Sequence, residues 1–397
     1  MEFDTCYAGD ISIEELCKGS PNLKKLNLSK SCKVELRGFT DAAIHTIVTY
    51  CPQIEVLSLN SWTDITDISM KHLSQLCYLK EIDLSYCNNV TSAGIQTLLR
   101  ATHQTATLEA LVFAEFKGKI RNFTHFVDNA LLNCIGTYCT NLIKLHIFIP
   151  VILTSPSQEV ADATSAALVG MLQGCPLLED FSLAYFPSAA DSIVATLAIY
   201  CPHLKRIYLD SAACLDEYVP YLCQTFPNLQ ALQLSNCQLS DTGIESVATH
   251  CHKLQELALY ATRRTYTDAA LCALFTTCAD LRSVNFGYQH TLSDRCVMVL
   301  VEHCPRLQSL TLIHNSRLTD LTLTSIAVYG KSLEHLSIWG IHKATKESLT
   351  HILTHCKQLC HVIIGHCNLI TNGPDRLDSS RALVEGHCSY KTKLDII

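Results

Sequence analysis

The stretch "HCPRLQSLTLIHNSRLTD" (residues 303–320) and the stretch "FPNLQALQLSNCQLSD" (residues 226–241) are two copies of one pattern. Leucines stand three, six and eight residues after Cys304 in the first copy and after Phe226 in the second. A Thr-Asp or Ser-Asp pair closes each copy. The same arrangement written twice predicts that the chain is built from structural repeats.

The residue that precedes the leucines recurs along most of the chain. It is a cysteine in nine copies: Cys51, Cys77, Cys139, Cys175, Cys201, Cys251, Cys278, Cys304 and Cys356. Ser20, Phe226 and Gly330 take the same place in other copies, and the spacing from Cys175 to Cys356 is 25–27 residues throughout. A fixed period in this range is the sequence signature of a solenoid.

Each repeat reads as a short strand followed by a helix. The L-x-L step has the period of a strand, and apolar residues three apart follow the Ser/Thr-Asp pair with the period of a helix. An aspartate directly before such a run is expected to cap the helix N-terminus. The aspartates predicted to be N-caps are Asp41, Asp67, Asp241, Asp268, Asp294 and Asp320. The predicted fold is an α/β leucine-rich-repeat horseshoe of about 13 repeats, with parallel strands on its concave face and helices on its convex face.

The chain holds 22 cysteines and no CxxC pair, which removes the commonest zinc-site spacing. We expect reduced, structural thiols. The cysteine before the leucines should close the helix and enter the core. A second class, Cys87, Cys237 and Cys367 with Asn315, should help to satisfy turn amides after the strand. His351 and His355, beside Cys356, form a possible metal edge, but the repeat already accounts for that cysteine.

Composition bounds the function. A net charge of −7 and a pI near 6.2 argue against a nucleic-acid partner. The opening "MEFDTCYAGD" lacks the apolar run of a signal peptide, and no apolar segment approaches the roughly 18 residues of a membrane span. We therefore expect a cytoplasmic or nuclear protein. No phosphate loop, GxSxG or HExxH motif is present, so we expect neither an enzyme nor a cofactor or metal site.

The repeat "NLQALQLSNCQLSDTGIESVATHC" (residues 228–251) resembles the cysteine-containing subfamily of leucine-rich repeats. That subfamily is best known from F-box/LRR proteins, the substrate receptors of SCF ubiquitin ligases. The resemblance extends over nearly the whole chain. It implies a protein-binding module for substrate recognition in ubiquitin-dependent protein catabolism. It also implies a Skp-type adaptor and a cullin as partners, reached through an F-box segment that is not visible here. The alternative is a leucine-rich-repeat scaffold or regulator unrelated to ubiquitin.

The pattern predicts a single solenoid over residues 1–397, with longer loops at 114–126 and 148–163. Both loops follow a strand, so both should emerge at the same rim, either as tolerated variation or as part of a binding site. Asp10 should begin a repeat helix, and the closing "LDII" (residues 394–397) should be a strand. The chain is therefore expected to begin and end within repeats. A fragment of a longer protein or an excerpted domain would do so, and so would a solenoid whose ends are capped by a partner; we favour the first two.

The partner is expected on the concave face, at the residues that follow the L-x-L step. Aromatic side chains there have no evident core role, and such rings are enriched in protein interfaces. The first position holds Phe148, Tyr260 and Trp339, and the second holds Tyr86, Tyr185, Tyr288, His314 and His366. The alternative is that the rings pack on one another and on the long loops. Arg263 and Arg264 lie in a strand-to-helix turn and could contact an acidic or phosphorylated group, or form a solvated loop.

Overall fold

The computed structural model describes residues 10–29, 39–103, 107–113, 127–148, 158–184, 190–210, 216–260, 266–289, 292–367 and 393–396. The chain divides into two compact units, residues 1–204 and 205–397, and each is described by itself. Within the described ranges, no helix has both the length and the apolar character needed to cross a membrane.

The first unit alternates helices with parallel strands, and each strand pairs with the next in the chain. Its helices are α1 (Asp10–Gly19), α2 (Asp41–Tyr50), α3 (Asp67–Leu73), α4 (Ser92–His103), α5 (Asn129–Tyr138), α6 (Gln158–Gln173) and α7 (Ala190–Tyr200). Its strands are β1 (Lys25–Asn27), β2 (Val56–Ser58), β3 (Glu81–Asp83), β4 (Ala110–Phe113), β5 (Lys144–Phe148) and β6 (Asp180–Ala184).

The second unit has the same plan, and its strands also pair in chain order. Its helices are α8 (Val219–Thr225), α9 (Asp241–His250), α10 (Asp268–Thr277), α11 (Asp294–His303), α12 (Asp320–Tyr329) and α13 (Lys346–His355). Its strands are β7 (Arg206–Asp210), β8 (Ala231–Ser235), β9 (Glu256–Tyr260), β10 (Ser283–Gly287), β11 (Ser309–Ile313), β12 (His335–Trp339), β13 (His361–Gly365) and β14 (Lys393–Ile396). The predicted leucine-rich-repeat fold is confirmed in each unit.

The leucines of successive repeats stack because every strand keeps the same register. Leu310 pairs with Leu336, and Leu312 pairs with Ile338. All four side chains are buried, while the alternate residues of each strand face solvent. One repeat cannot bury its leucines alone, so the core exists only because neighbours stack.

The aspartates after the turns do not cap their own helices, and that prediction is wrong. The N-cap is the preceding threonine or serine, and the aspartate is the first helical residue. Its carboxylate instead accepts from the N-cap residue of the next repeat. Asp294 accepts from the backbone N–H and the hydroxyl of Thr319, both at 2.8 Å. The aspartate therefore joins two repeats, which a pattern within one repeat does not show.

The same bridge recurs in both units. Asp41 accepts from the N–H and hydroxyl of Thr66 at 2.8 and 2.7 Å, and also from Ser69. Burial by itself raises the pKa of Asp41, but the hydrogen bonds from Ser69 and Thr66 outweigh it, and the pKa lies below its usual value. The same carboxylate-to-N-cap contact is made by Asp10, Asp67, Asp241, Asp268 and Asp320.

The cysteine before the leucines has the predicted core position and a further role. Cys304 Sγ donates to the carbonyl oxygen of Cys278 at 3.6 Å, and Cys278 Sγ donates to that of Cys251 at 3.5 Å. Each thiol thus adds a second donor to a carbonyl at the C-terminal end of the preceding repeat's helix, which already accepts from the leucine N–H three residues on. Cysteines in the described residues are free thiols.

Cys77 is the exception to this row. Its side chain is exposed, and Leu76 is buried in the place that cysteine takes elsewhere. The helix α3 is only seven residues long, so this repeat is one residue shorter than the spacing of cysteines suggests. The assignment of Cys77 to the core position is therefore wrong by one residue.

The second class, Cys87, Cys237 and Cys367 with Asn315, makes hydrogen bonds to strand-end carbonyls as well as to turn amides. Cys87 Sγ donates to the Leu59 carbonyl at 3.2 Å, and Asn315 Nδ2 donates to the Phe286 carbonyl at 3.1 Å. These acceptors are strand-end carbonyls of the preceding repeat. The predicted contact with turn amides is present as well: Asn315 Oδ1 accepts from the Gln289 N–H at 3.0 Å, and the Cys367 thiol is hydrogen-bonded to the backbone of Gly340 and Ile341.

The predicted loops and ends can be compared only in part. Residues 114–126 lie outside the described residues, as do 149–157 of the second loop. The second loop ends earlier than predicted, because α6 already begins at Gln158, so 158–163 are helical. Asp10 begins α1 and Leu394 lies in β14, as predicted.

Candidate functional site

The strands end in an unusual backbone conformation that recurs at one position of the repeat. The residue ten places after the cysteine position has a left-handed φ between 51° and 69° in several repeats: Ser61, Tyr86, Asn236, Tyr288, His314, Gly340 and His366. Its backbone N–H still pairs with the next strand, as in the 2.7 Å bond from His314 N–H to the Trp339 carbonyl. The left-handed residue is therefore the last rung of the sheet and turns the chain away from it.

Rings at this position are held against the preference of the backbone. A left-handed conformation brings Cβ close to the following carbonyl oxygen and favours glycine, while bulky side chains are rare there. Of the seven residues, only Gly340 is glycine. Tyr86, Tyr288, His314 and His366 place rings where a glycine would be less strained.

The rings of the second unit form what we call the strand-end platform: Tyr260, Tyr288, His314, Trp339 and His366. Tyr260 and Tyr288 meet edge to face with ring centroids 5.3 Å apart, and the Tyr288 and His314 centroids are 4.8 Å apart. Trp339 and His366 lie 5.5 Å apart. The rings pack on one another, as the alternative interpretation held, yet Tyr288 remains 41% exposed and His366 is also exposed.

Glycines of the following repeats make room for these rings. A Cβ added to Gly287 would overlap the Tyr260 ring, and one added to Gly340 would overlap His314. A Cβ at Gly365 would lie 2.8 Å from the Trp339 ring. Each of these three rings therefore lies against a glycine of the next repeat and remains partly exposed.

The platform continues into a polar end at β7 and β8. Asn236 Nδ2 donates to Asp210 Oδ1 at 2.7 Å. Burial raises the pKa of Tyr260 to about 12, with Tyr288 and the charge of Asp210 adding to the effect. Tyr260 therefore stays neutral at physiological pH, and the negative charge of Asp210 acts on this end of the platform.

The other predicted site residues fall in three groups. Tyr86 lies in the first unit, half-buried, at the same left-handed position. Phe148 ends β5, where its side chain is not described. Tyr185, Arg263 and Arg264 lie outside the described residues. The structure thus brings together five of the predicted aromatic residues, all in the second unit.

Sequence reasoning missed the glycines that lie against the rings, and it also missed Asn285. The signal was present in the dipeptides Gly287-Tyr288, Trp339-Gly340 and Gly365-His366, where a glycine stands beside each ring. Asn285, in the middle of β10, lies on the solvent-facing side of the strand, between the buried Val284 and Phe286.

The described residues offer no grouping of three or more histidine, cysteine or acidic side chains that could hold a metal. His351 and His355 contact each other, with ring centroids 4.2 Å apart, and His355 Nδ1 lies 2.8 Å from the His351 carbonyl. Burial raises the pKa of Cys278 to about 11 and that of Cys304 to about 12. These thiols are protonated at neutral pH, which makes them poor nucleophiles and poor ligands.

Comparison with known proteins gives one family model, described as "FBD-associated F-box protein At5g56370, LRR repeats", which matches residues 177–289. The chain is 26% identical over 142 residues to F-box/LRR-repeat protein 9 of Arabidopsis thaliana, covering 35% of this chain and 54% of that protein. It is 24% identical over 217 residues to F-box/LRR-repeat protein 4 of Bos taurus, covering 54% of this chain and 28% of that protein. The leucine-rich repeats of this chain thus resemble those of F-box/LRR proteins.

The chain spans about half or less of the length of these curated relatives. Among solved structures, a chain of the yeast Rad7 and Elc1 complex is similar, with a TM-score of 0.61 and 14% identity. The match covers 98% of this chain and 84% of that one. At this identity the likeness shows the fold alone.

Proposed function

We propose that this chain is the substrate-recognition part of an SCF-type ubiquitin ligase receptor, and that the strand-end platform binds the substrate. The observation that carries the platform is that rings stand at positions where the fold itself needs none. Tyr288, His314 and His366 occupy left-handed positions that Ser61, Asn236 and Gly340 fill without rings in other repeats. Exposed rings of this kind are enriched in protein interfaces.

The link to ubiquitin rests on the resemblance to F-box/LRR proteins. An F-box in the whole protein would recruit a Skp-type adaptor and a cullin, while the leucine-rich repeats select the substrate. Large rings suit this role, because they give much contact area with few rotatable bonds, and interface anchors of this kind dominate binding energy. The site of action in this proposal is the cytoplasm or nucleus.

The test is affinity purification of the whole protein from its own cells, with the proteasome inhibited, followed by quantitative mass spectrometry. The wild type should retain a Skp-type adaptor, a cullin and at least one ubiquitylated protein. Trp339→Ala should retain the adaptor and cullin but lose the ubiquitylated protein. With that protein purified, the same substitution should weaken its binding at least tenfold, the usual effect of truncating such an anchor.

The matched control is Leu321→Ala, which removes an apolar side chain that is 66% exposed on helix α12. It should leave both interactions unchanged. A helix-face variant that loses the substrate while Trp339→Ala keeps it would place the binding face on the helices. A protein that binds its partner through the platform but never retains adaptor or cullin would instead be a scaffold or regulator unrelated to ubiquitin.

A further inference from the structure

The middle of β10 carries a side-chain oxygen, Asn285 Oδ1, that lacks a hydrogen-bond donor. Asn285 Oδ1 is buried and accepts no hydrogen bond, alone among the buried side-chain oxygen and nitrogen atoms of the described residues. A buried acceptor without a donor is destabilising, so such atoms are rare in folded proteins. An asparagine that costs stability in the free protein is explained if a partner supplies the donor.

The Oδ1 atom itself is closed to solvent, but the Asn285 side chain is only half-buried and small side chains surround it. Its partners in register on the neighbouring strands are Ala258 on β9 and Thr311 on β11, both small. Gly287, two residues further along the same face, lies under the Tyr260 ring. The acceptor therefore lies among small side chains next to the exposed rings of Tyr260 and Tyr288.

The charges around this position favour a cation. The five strands β8–β12 contain no lysine and no arginine, whereas Glu256 on β9 lies on the same face as Asn285. Asp210 adds a second carboxylate at the end of β7. The faces of tyrosine and tryptophan rings also attract cations. Acceptor, carboxylates and rings thus all fit one kind of group.

We propose that the partner inserts an arginine side chain beside the strand-end platform, where the half-buried Asn285 amide turns so that its Oδ1 accepts from the guanidinium, which stacks on the neighbouring tyrosine rings. This rests on the proposed function, and it names the substrate class as a segment with a basic anchor. Arginine fits better than lysine, because its planar group has five donors and stacks on aromatic faces.

The test uses synthetic probes, so that it does not depend on the natural partner. The wild-type chain, immobilised, is panned against a random twelve-residue peptide display library. Enriched peptides are expected to share an arginine. In solution, replacing that arginine by citrulline, which keeps N–H donors but removes the charge, should weaken binding about tenfold. Replacing it by norleucine, which removes both, should weaken it further.

Three variants assign the effect to Asn285. Asn285→Leu should bind the arginine and norleucine peptides with similar affinity, and its melting temperature should be unchanged or raised because an unsatisfied acceptor is gone. Asn285→Asp adds a carboxylate and should bind the arginine peptide more tightly than wild type. The matched control, Thr311→Val on the same face of the next strand, should retain the preference for arginine.

Other outcomes overturn the proposal. Enrichment of acidic or purely apolar peptides, or of none, contradicts a basic anchor; acidic peptides would instead point to Arg263 and Arg264, which follow β9. An arginine preference that survives in Asn285→Leu shows that another residue makes the contact. If Trp339→Ala abolishes peptide binding while the Asn285 variants behave as wild type, the platform stands and only this inference fails. If neither position affects binding, both proposals fail.

Discussion

The strand ends of β2 and β3 in the first unit have the same backbone conformation as those of β9–β12 in the second. Their exposed side chains differ. Ser61 and Tyr288 occupy the same repeat position with φ of 69° and 57°. In the first unit the side chains there bond to one another: Ser61 Oγ to Asn60 Oδ1 at 2.7 Å, and Ser58 Oγ to Asp83 Oδ2 at 3.2 Å. In the second unit the same positions carry rings.

This difference separates what the repeat requires from what this protein adds. The left-handed turn, the leucine register and the aspartate bridge occur in both units, so they belong to the fold. At the end of β2 in the first unit the polar side chains bond to one another, whereas Tyr86 at the end of β3 is a half-buried ring. The rings and Asn285 in the second unit leave exposed faces and an unmet acceptor, which are properties of a binding surface.

The aspartate bridge should matter equally in both units, and its loss should have the largest effect on stability. Asp41 and Asp294 each accept four hydrogen bonds from two residues of the next repeat. Replacing either by alanine should cost about 2–3 kcal/mol of unfolding free energy, since hydrogen bonds to charged groups are lost and donors are left unpaired. Chemical denaturation measures it. A loss in one unit only would show that the bridge is not a general feature.

Among the glycines of the described residues, those that lie against a ring are in the second unit's strand-end platform. Gly287→Ala should push the Tyr260 ring aside at a cost of about 1–2 kcal/mol and weaken partner binding, because added volume in a packed contact is destabilising. The control Gly170→Ala, in α6, meets nothing within 4 Å and should be neutral or stabilising. Thermal melts compare the two, and equal effects would mean that the Tyr260 contact is unimportant.

Backbone strain should be equal at the two strand ends, although only the one in the second unit is proposed to bind a partner. Tyr288→Gly should be more stable than Tyr288→Ala by about 1 kcal/mol, since alanine keeps the left-handed strain that glycine lacks. The Ser61→Gly variant should likewise be more stable than the Ser61→Ala variant, by a similar amount. Both Tyr288 variants should weaken partner binding, and neither Ser61 variant should. Binding lost equally at Ser61 would remove the distinction between the units.

The smallest expected effect is on the pH dependence of stability. The folded pKa of Asp41 is lowered, so its contribution to stability is present above the unfolded pKa and is lost as pH falls through the folded value. Asp41→Asn should therefore differ from wild type at neutral pH and converge with it in acid. Melting temperatures between pH 7 and the acid limit of folding give the curve. A constant difference at all pH values would show that the carboxylate charge is not what stabilises the bridge.

Much of the fold could be predicted because one short sequence pattern is repeated along the chain. Leu310 and Leu312 fix the strand and its buried face, and the three-residue spacing of Leu323 and Ile326 fixes the helix that follows. These are short-range patterns, and the stacking of repeats amplifies them. The predicted rings Tyr260, Tyr288, His314, Trp339 and His366 were found together for the same reason, since a common position in the repeat becomes a common edge of the sheet.

The contacts between repeats were decided only by the tertiary structure. The sequence placed Asp294 beside its own helix, but the rise from one repeat to the next brings Thr319 within hydrogen-bonding distance of its carboxylate. The spacing of cysteines predicted that Cys77 takes the core position before the leucines. In the structure Leu76 takes it, because its side chain is the one that reaches the core. The unmet acceptor of Asn285 depends on Ala258, 27 residues before it, and Thr311, 26 residues after it, beyond the reach of a local pattern. Sequence determines what each repeat contains, and the packing of one repeat on the next determines which groups remain available to a partner.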